Sequence, residues 1–114
     1  TFNMFKTYGD AYKVSQLRND PLSPLEGFYL MTQGAAIAHG LDEEIGNLNP
    51  GTIADFIVVE PRFDELTSLR IQQDADFDDV FFALSILGDD RAIAQTWISG
   101  NCCYEKSSGN NELQ

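Results

Sequence analysis

Gly46-Asn47-Leu48-Asn49-Pro50-Gly51-Thr52-Ile53-Ala54-Asp55-Phe56-Ile57-Val58-Val59-Glu60-Pro61 is the stretch on which the fold reading turns. Turn formers (Gly46, Asn47, Asn49, Pro50, Gly51) give way to an apolar, β-branched run that Pro61 closes. Such a run is long enough for a buried strand and too short for a comfortable helix. Asp55 stands at the start of that strand, where a carboxylate can accept hydrogen bonds from backbone N–H groups at a turn. Whatever precedes and follows this element has to pack around it.

Helical sequence lies before it. Residues 2–18 read as a helix with Met4, Tyr8, Ala11 and Ser15 as its apolar stripe, broadened by Phe5, Tyr12 and Leu17. Gly9 inside that helix costs about 1 kcal/mol against Ala, which points to close packing at that position. Asn19-Asp20-Pro21 stops the helix. Ser23-Pro24-Leu25-Glu26 then spells a capping box, opening a helix over residues 24–39. Its expected buried face is Leu25, Phe28, Tyr29, Thr32, Ala35, Ala36 and Ala38, with Gly34 interrupting the helix or starting a second one. Gly40 ends it in the left-handed conformation.

Beyond the strand, a short helix is expected near residues 64–72 and a stronger one, capped by Asp76, over 77–87. Val80, Phe81, Leu84 and Leu87 form its stripe and Gly88 closes it. Ala92 to Ile98 and Cys102 to Glu105 read as a β-hairpin turning at Ser99-Gly100-Asn101. Lys106 to Gln114 is polar and reads as a disordered tail. No internal repeat is present.

The chain has 114 residues, 43% of them hydrophobic and 22% charged, which are globular values. With 18 acidic against 7 basic residues the net charge is −11. That disfavours nucleic acid and anionic lipid as partners, because phosphate binding needs clustered Lys and Arg. No apolar run approaches the roughly 20 residues of a membrane span. The N-terminal Thr1-Phe2-Asn3-Met4 has neither the basic segment nor the apolar core of a signal peptide, and the missing initiator Met fits a chain cut from something longer. Cys102 and Cys103 are the only cysteines, so a reducing cytoplasm is the expected compartment.

Candidate chemistry is sparse. His39 is the sole histidine, and one His cannot supply the three or more ligands of a zinc hydrolase site. Asp42-Glu43-Glu44 and the acidic run from Asp74 to Asp79 lack the alternating ligand spacing of a calcium loop; capping and solvation account for them better. Asp89-Asp90-Arg91 reads as a turn with a local ion pair. Cys102 and Cys103 are expected on opposite faces of a strand, at most one pointing inward. No catalytic, metal or substrate-binding residue is assigned from this pattern.

The central stretch is also distinctive as a motif. Met31-Thr32-Gln33-Gly34-Ala35-Ala36, Gly40-Leu41-Asp42, Ile45-Gly46-Asn47-Leu48, Pro50-Gly51 and Ala54-Asp55-Phe56-Ile57-Val58 together resemble the closing signature of the amidohydrolase superfamily. Two flanking segments narrow the resemblance. Thr1 to Phe5 with Ala11-Tyr12-Lys13-Val14 and Gln16-Leu17, and Leu87 to Arg91 with Thr96 to Gly100, are similar to the guanine deaminase branch.

The resemblance implies an α/β fold of which this chain carries the C-terminal part. Residues 1–45 would be the last helices of a metal-dependent (β/α)₈ barrel. Residues 46–105 would be the returning strands of a small β-sandwich domain, with a helical pair near 64–88 interposed and a tail over 106–114. A barrel typically needs about 250 residues, so the isolated chain would be α+β. For the parent the resemblance implies a cytoplasmic, dimeric zinc aminohydrolase acting on guanine. There, metal-activated water attacks C2, an aspartate and a glutamate shuttle protons, and xanthine and ammonia result. The family's metal ligands and proton-transfer residues lie upstream of Thr1, and none is carried over. The chain itself would be scaffold. Two alternatives stand beside this one: another amidohydrolase acting on a different purine or a triazine, and a non-enzymatic α+β interaction module.

Overall fold

In the computed structural model, residues 2–107 are described. Helix α1 (Met4–Leu17) opens the chain, with the Asn3 side chain accepting from the Phe5 N–H at its N-terminus. Helix α2 (Pro24–Met31) begins at the expected capping box: Ser23 accepts from the Glu26 N–H while Glu26 accepts from the Ser23 N–H. The interruption expected at Gly34 in the helix over 24–39 falls at Thr32 instead, whose φ of −118° and ψ of −98° are not helical. Helix α3 (Gln33–Ala38) restarts immediately, with Gly34 in its first turn. The Thr32 hydroxyl donates to the Phe28 carbonyl at 2.8 Å, offering that carbonyl an alternative to the helix ladder.

Strand β1 (Phe56–Val59) follows the central loop. Helix α4 (Glu65–Arg70) is capped by Asp64, and helix α5 (Phe77–Leu87) by Asp76, whose carboxylate accepts from the Asp79 N–H at 2.9 Å. A 3₁₀ turn (Asp90–Ala92) leads into strands β2 (Ile93–Ile98) and β3 (Asn101–Glu105). The three strands form one antiparallel sheet in the order β1-β2-β3. Ser99 and Gly100 both have positive φ, 50° and 76°, the geometry of a two-residue hairpin turn. Lys106 continues the ladder through its N–H to Ala94, and residues 108–114, most of the tail expected to be disordered, lie outside the described residues.

Helices α1, α2 and α5 pack together around Phe5 and Leu84, with Phe28, Val80 and Phe81 half-buried beside them. Phe28 is the hinge of this cluster, its ring centroid 5.4 Å from Tyr8, 6.3 Å from Phe5 and 4.4 Å from Phe81. Buried Ala92, with Val59 and Ile93, ties the near end of the sheet to the same core. The fold of the described chain is α+β.

Three expectations need correction. The inner face of α1 is Phe5, Tyr8 and Gly9, with Tyr12 and Ser15 half-buried, while Met4, Ala11 and Leu17 are exposed. The stripe rotates because α5 comes so close that a Cβ on Gly9 would collide with the Ser85 carbonyl oxygen. On α2 and α3 the buried positions are Gly27 and Ala36, and Leu25, Tyr29, Thr32 and Ala38 stay exposed: α1 and α5 cover one side of α2, while α3 packs on α2 and on the Gly46–Asn47 loop. Finally, β1 is an edge strand and not a buried one: Ile57 and Val58 are 48% and 40% exposed. An unbroken apolar run reads as buried on both faces, but the sheet here covers neither face of β1 fully.

Candidate functional site

The signature residues converge on one structured loop. Gly46, at a φ of 100°, sits against α3, where a Cβ would lie 2.7 Å from the Ala36 methyl and 3.1 Å from the Gln33 Cα. The next residue, Asn47, donates through its amide to the Gln33 side chain at 2.7 Å and accepts from the Asn49 N–H at 2.9 Å. Thr52 donates to the Asn49 carbonyl at 2.8 Å, and the Ile53 N–H returns to the Glu44 carbonyl at 2.8 Å. Gly46, Asn47 and Asn49 thus each have a specific partner, while Gly51 supplies a positive φ of 96° in open space. The small Ala36 side chain lets the loop lie on α3.

The loop delivers Asp55 to the hairpin tip. Its carboxylate accepts from the Ser99 N–H at 2.8 Å, and the Ala54 carbonyl accepts from the Gly100 N–H at 3.0 Å. Sequence gave the residue and its backbone-binding role; a partner 44 positions away left no local signal.

A second cluster gathers on Arg91. Its guanidinium forks onto Asp89 (2.8 and 3.1 Å), reaches Asp64 at 3.2 Å and lies 4.9 Å from the centre of the Phe63 ring. The ion pair within Asp89-Asp90-Arg91 was legible. The link to Asp64 and Phe63 was not, because it joins the α4 cap to the turn before β2. The Arg91 hydrogen bond holds the Asp89 carboxyl below its ordinary range. Asp64 is lowered chiefly by the Thr67 N–H, and Glu26 chiefly by the Ser23 N–H. Burial pushes the Tyr8 phenol above its ordinary value while its hydroxyl donates to the Pro24 carbonyl at 2.8 Å.

The remaining candidates do not assemble. His39 caps the end of α3 and is exposed. Asp42, Glu43 and Glu44 point to solvent, while Asp76 caps α5 and Asp78 and Asp79 lie in its first turn. Among the described residues no three His, Cys, Asp or Glu side chains group to hold a metal ion, so these residues do not fit a zinc centre. An open depression of about 330 Å³ is lined by Arg70, Gln72, Asp74, Ala75 and Asp79; it has no apolar wall on which a flat ring could stack. Cys102 and Cys103 are both exposed, neither pointing inward. Among the described residues no helix is long and apolar enough to cross a membrane.

Comparison with known proteins gives the family. Residues 1–103 match the amidohydrolase family. The chain belongs to that family. Guanine deaminase of Escherichia coli (strain K12) is 46% identical over 107 residues, which are 94% of this chain and 24% of that protein. A probable guanine deaminase of Deinococcus radiodurans is 26% identical over 110 residues, 94% of this chain and 25% of its own length. The solved structure of the E. coli guanine deaminase superposes with a TM-score of 0.89 at 46% identity, over 93% of this chain and 24% of that one. A guanine deaminase from Bradyrhizobium japonicum follows at 0.75 and 28% identity, over 91% and 28%. This amidohydrolase chain therefore spans about a quarter of the length of the curated relatives it matches.

Proposed function

We propose that this chain is the C-terminal quarter of a guanine deaminase, a hydrolase that converts guanine and water to xanthine and ammonia in purine catabolism. The carrying observation is the 46% identity with E. coli guanine deaminase across 94% of the chain. Residues 1–45 then serve as the last helices of the barrel, and 46–105 as the returning part of the small β domain, with α4 and α5 between its strands. The described residues do not fit zinc, so the metal and the reacting groups are assigned to the part of the enzyme outside this chain. What this chain contributes is shape: the loop on Gln33 and Ala36, the Asp55 link to the hairpin and the α1–α2–α5 core fix one domain against the other. The parent is read as a cytoplasmic homodimer without nucleic acid or membrane partners.

Nothing in the comparisons favours a triazine hydrolase or an independent interaction module. The test is the enzyme expressed with the reading frame that precedes Thr1, loaded with zinc and assayed by ammonia release against guanine, adenine, cytosine and 8-oxoguanine. Guanine is expected to lead. A kcat/KM for guanine about tenfold below any rival, about 1.4 kcal/mol of transition-state binding, would overturn the assignment.

A further inference from the structure

The pairing of β2 with β3 brings two thiols to one side of the sheet. Thr96 faces Tyr104 and Trp97 faces Cys102, so Cys103 is the extra residue of a β-bulge. Cross-strand partners share a face and neighbours along a strand alternate. Cys102 therefore lies on the face of its partner Trp97. Cys103, next to Tyr104, lies opposite the Thr96–Tyr104 face, which is again the face of Trp97. The alternation expected from adjacent positions is cancelled by the bulge, since a one-residue slip in register turns a side chain to the other face. Both cysteines are free and exposed, on an edge strand, with only weak contacts from their sulfurs to the carbonyls of Tyr104 (3.3 Å) and Asn101 (3.5 Å).

We propose that Cys102 and Cys103 form a two-thiol chelating site for a soft, thiophilic centre, of the chemical class of trivalent organoarsenicals. Sulfur ligands select such centres over hard cations, and two adjacent thiols on one face can hold a single atom. With an organoarsenic(III) oxide, two S–H bonds and the As–O bond break and two As–S bonds form. Both protons leave with the oxide oxygen as water. Arsenic stays trivalent, so no oxidant or reductant is needed. Once one sulfur is attached the second is at high effective concentration, which raises retention by about 100-fold over a single thiol.

The probe is phenylarsine oxide, added to the chain and followed by free-thiol titration, mass and the fluorescence of Trp97, the only tryptophan, which faces Cys102. One arsenical per chain, loss of both free thiols, quenching of Trp97 and survival against excess monothiol but release by a dithiol are expected. Cys102→Ser and Cys103→Ser should each lower retention by about 100-fold. The double change Asn101→Cys with Cys102→Ser keeps two thiols but, by the same register, places them on opposite faces, and it should bind no better than the single variants. Unchanged retention in either single variant, or full chelation by the displaced pair, would overturn the site. Trp97 emission without arsenical shows whether each variant retains its sheet.

Discussion

The carboxylate of Asp55 holds the backbone N–H of Ser99 at 2.8 Å, joining the entry of β1 to the tip of the β2–β3 hairpin. With the Gly100 N–H on the Ala54 carbonyl at 3.0 Å, it closes the end of the sheet that lies away from the helical core. The other end is held by Val59, Ala92 and Ile93. Among the described residues the sheet has three strands, and a sheet of that size draws its stability from such packing rather than from its ladders alone.

Replacing Asp55 with Ala should therefore lower the unfolding free energy by about 1 kcal/mol, at the modest end for a hydrogen bond to a charged acceptor because the site is exposed. Asn keeps an acceptor oxygen and should recover most of that loss. Urea unfolding of both variants provides the comparison. Equal losses for Ala and Asn would mean that the carboxylate, and not the bond to Ser99, matters.

Gly9→Ala tests the helix contact from the opposite direction. Intrinsic propensity alone predicts a gain of about 1 kcal/mol. The Ser85 carbonyl occupies the space a methyl would need, and overpacking costs about 1–3 kcal/mol, so a net loss is expected. A higher melting temperature for Gly9→Ala would contradict the close approach of α1 and α5.

Acid should unfold the chain partly through Asp89. Its folded pKa lies below the unfolded value of 3.8, with the Arg91 hydrogen bond as the largest cause. A depressed carboxyl stabilises the fold above its unfolded pKa, and that contribution is lost as pH falls below about 4 toward the folded value. Arg91→Gln removes the cause, so wild type and variant should differ most above pH 4 and converge in stronger acid. Asp64 and Glu26, lowered chiefly by backbone N–H groups of Thr67 and Ser23, keep their acid sensitivity in the variant. Urea midpoints measured from about pH 3 to 6 decide this; a gap that widens on acidification is the contrary result.

What the sequence revealed and what it concealed divide by range. The Ser23–Glu26 capping box, the Asp76 cap and the Ser99-Gly100 turn are written within four residues, and each stands where the pattern placed it. The break at Thr32 was assigned to the neighbourhood of Gly34, because glycine is the visible breaker. What decides it is a Thr hydroxyl turned onto the Phe28 carbonyl, with Gln33 and Ala36 taken up by the Gly46–Asn47 loop. The bulge that gathers the two cysteines likewise depends on cross-strand pairing, which alternation along one strand cannot encode. The family signature was legible as a motif, and in the structure Gln33, Ala36, Gly46 and Asn47 of it pack the loop onto α3, a contact the motif does not spell out.

The exposed side of α2 and α3 gives the last prediction. Leu25 is 59% exposed, Leu30 54%, and Tyr29 and Ile37 49% each. The patterning anticipated burial for Leu25 and Tyr29, and their exposure here leaves apolar area that soluble monomers usually avoid when it is contiguous. The 114-residue chain is therefore expected to self-associate, with light scattering showing a mass that rises with concentration. Leu30→Glu should shift that equilibrium toward monomer. Because the side chain is exposed, it should change the unfolding free energy by no more than about 0.5 kcal/mol. Salt distinguishes this association from electrostatic clustering. At a net charge of −11 the copies repel one another, so added salt should strengthen an apolar contact by screening that repulsion. Strictly monomeric scattering at high concentration and high salt would mean that the outer face of α2 and α3 is tolerated in water as it stands.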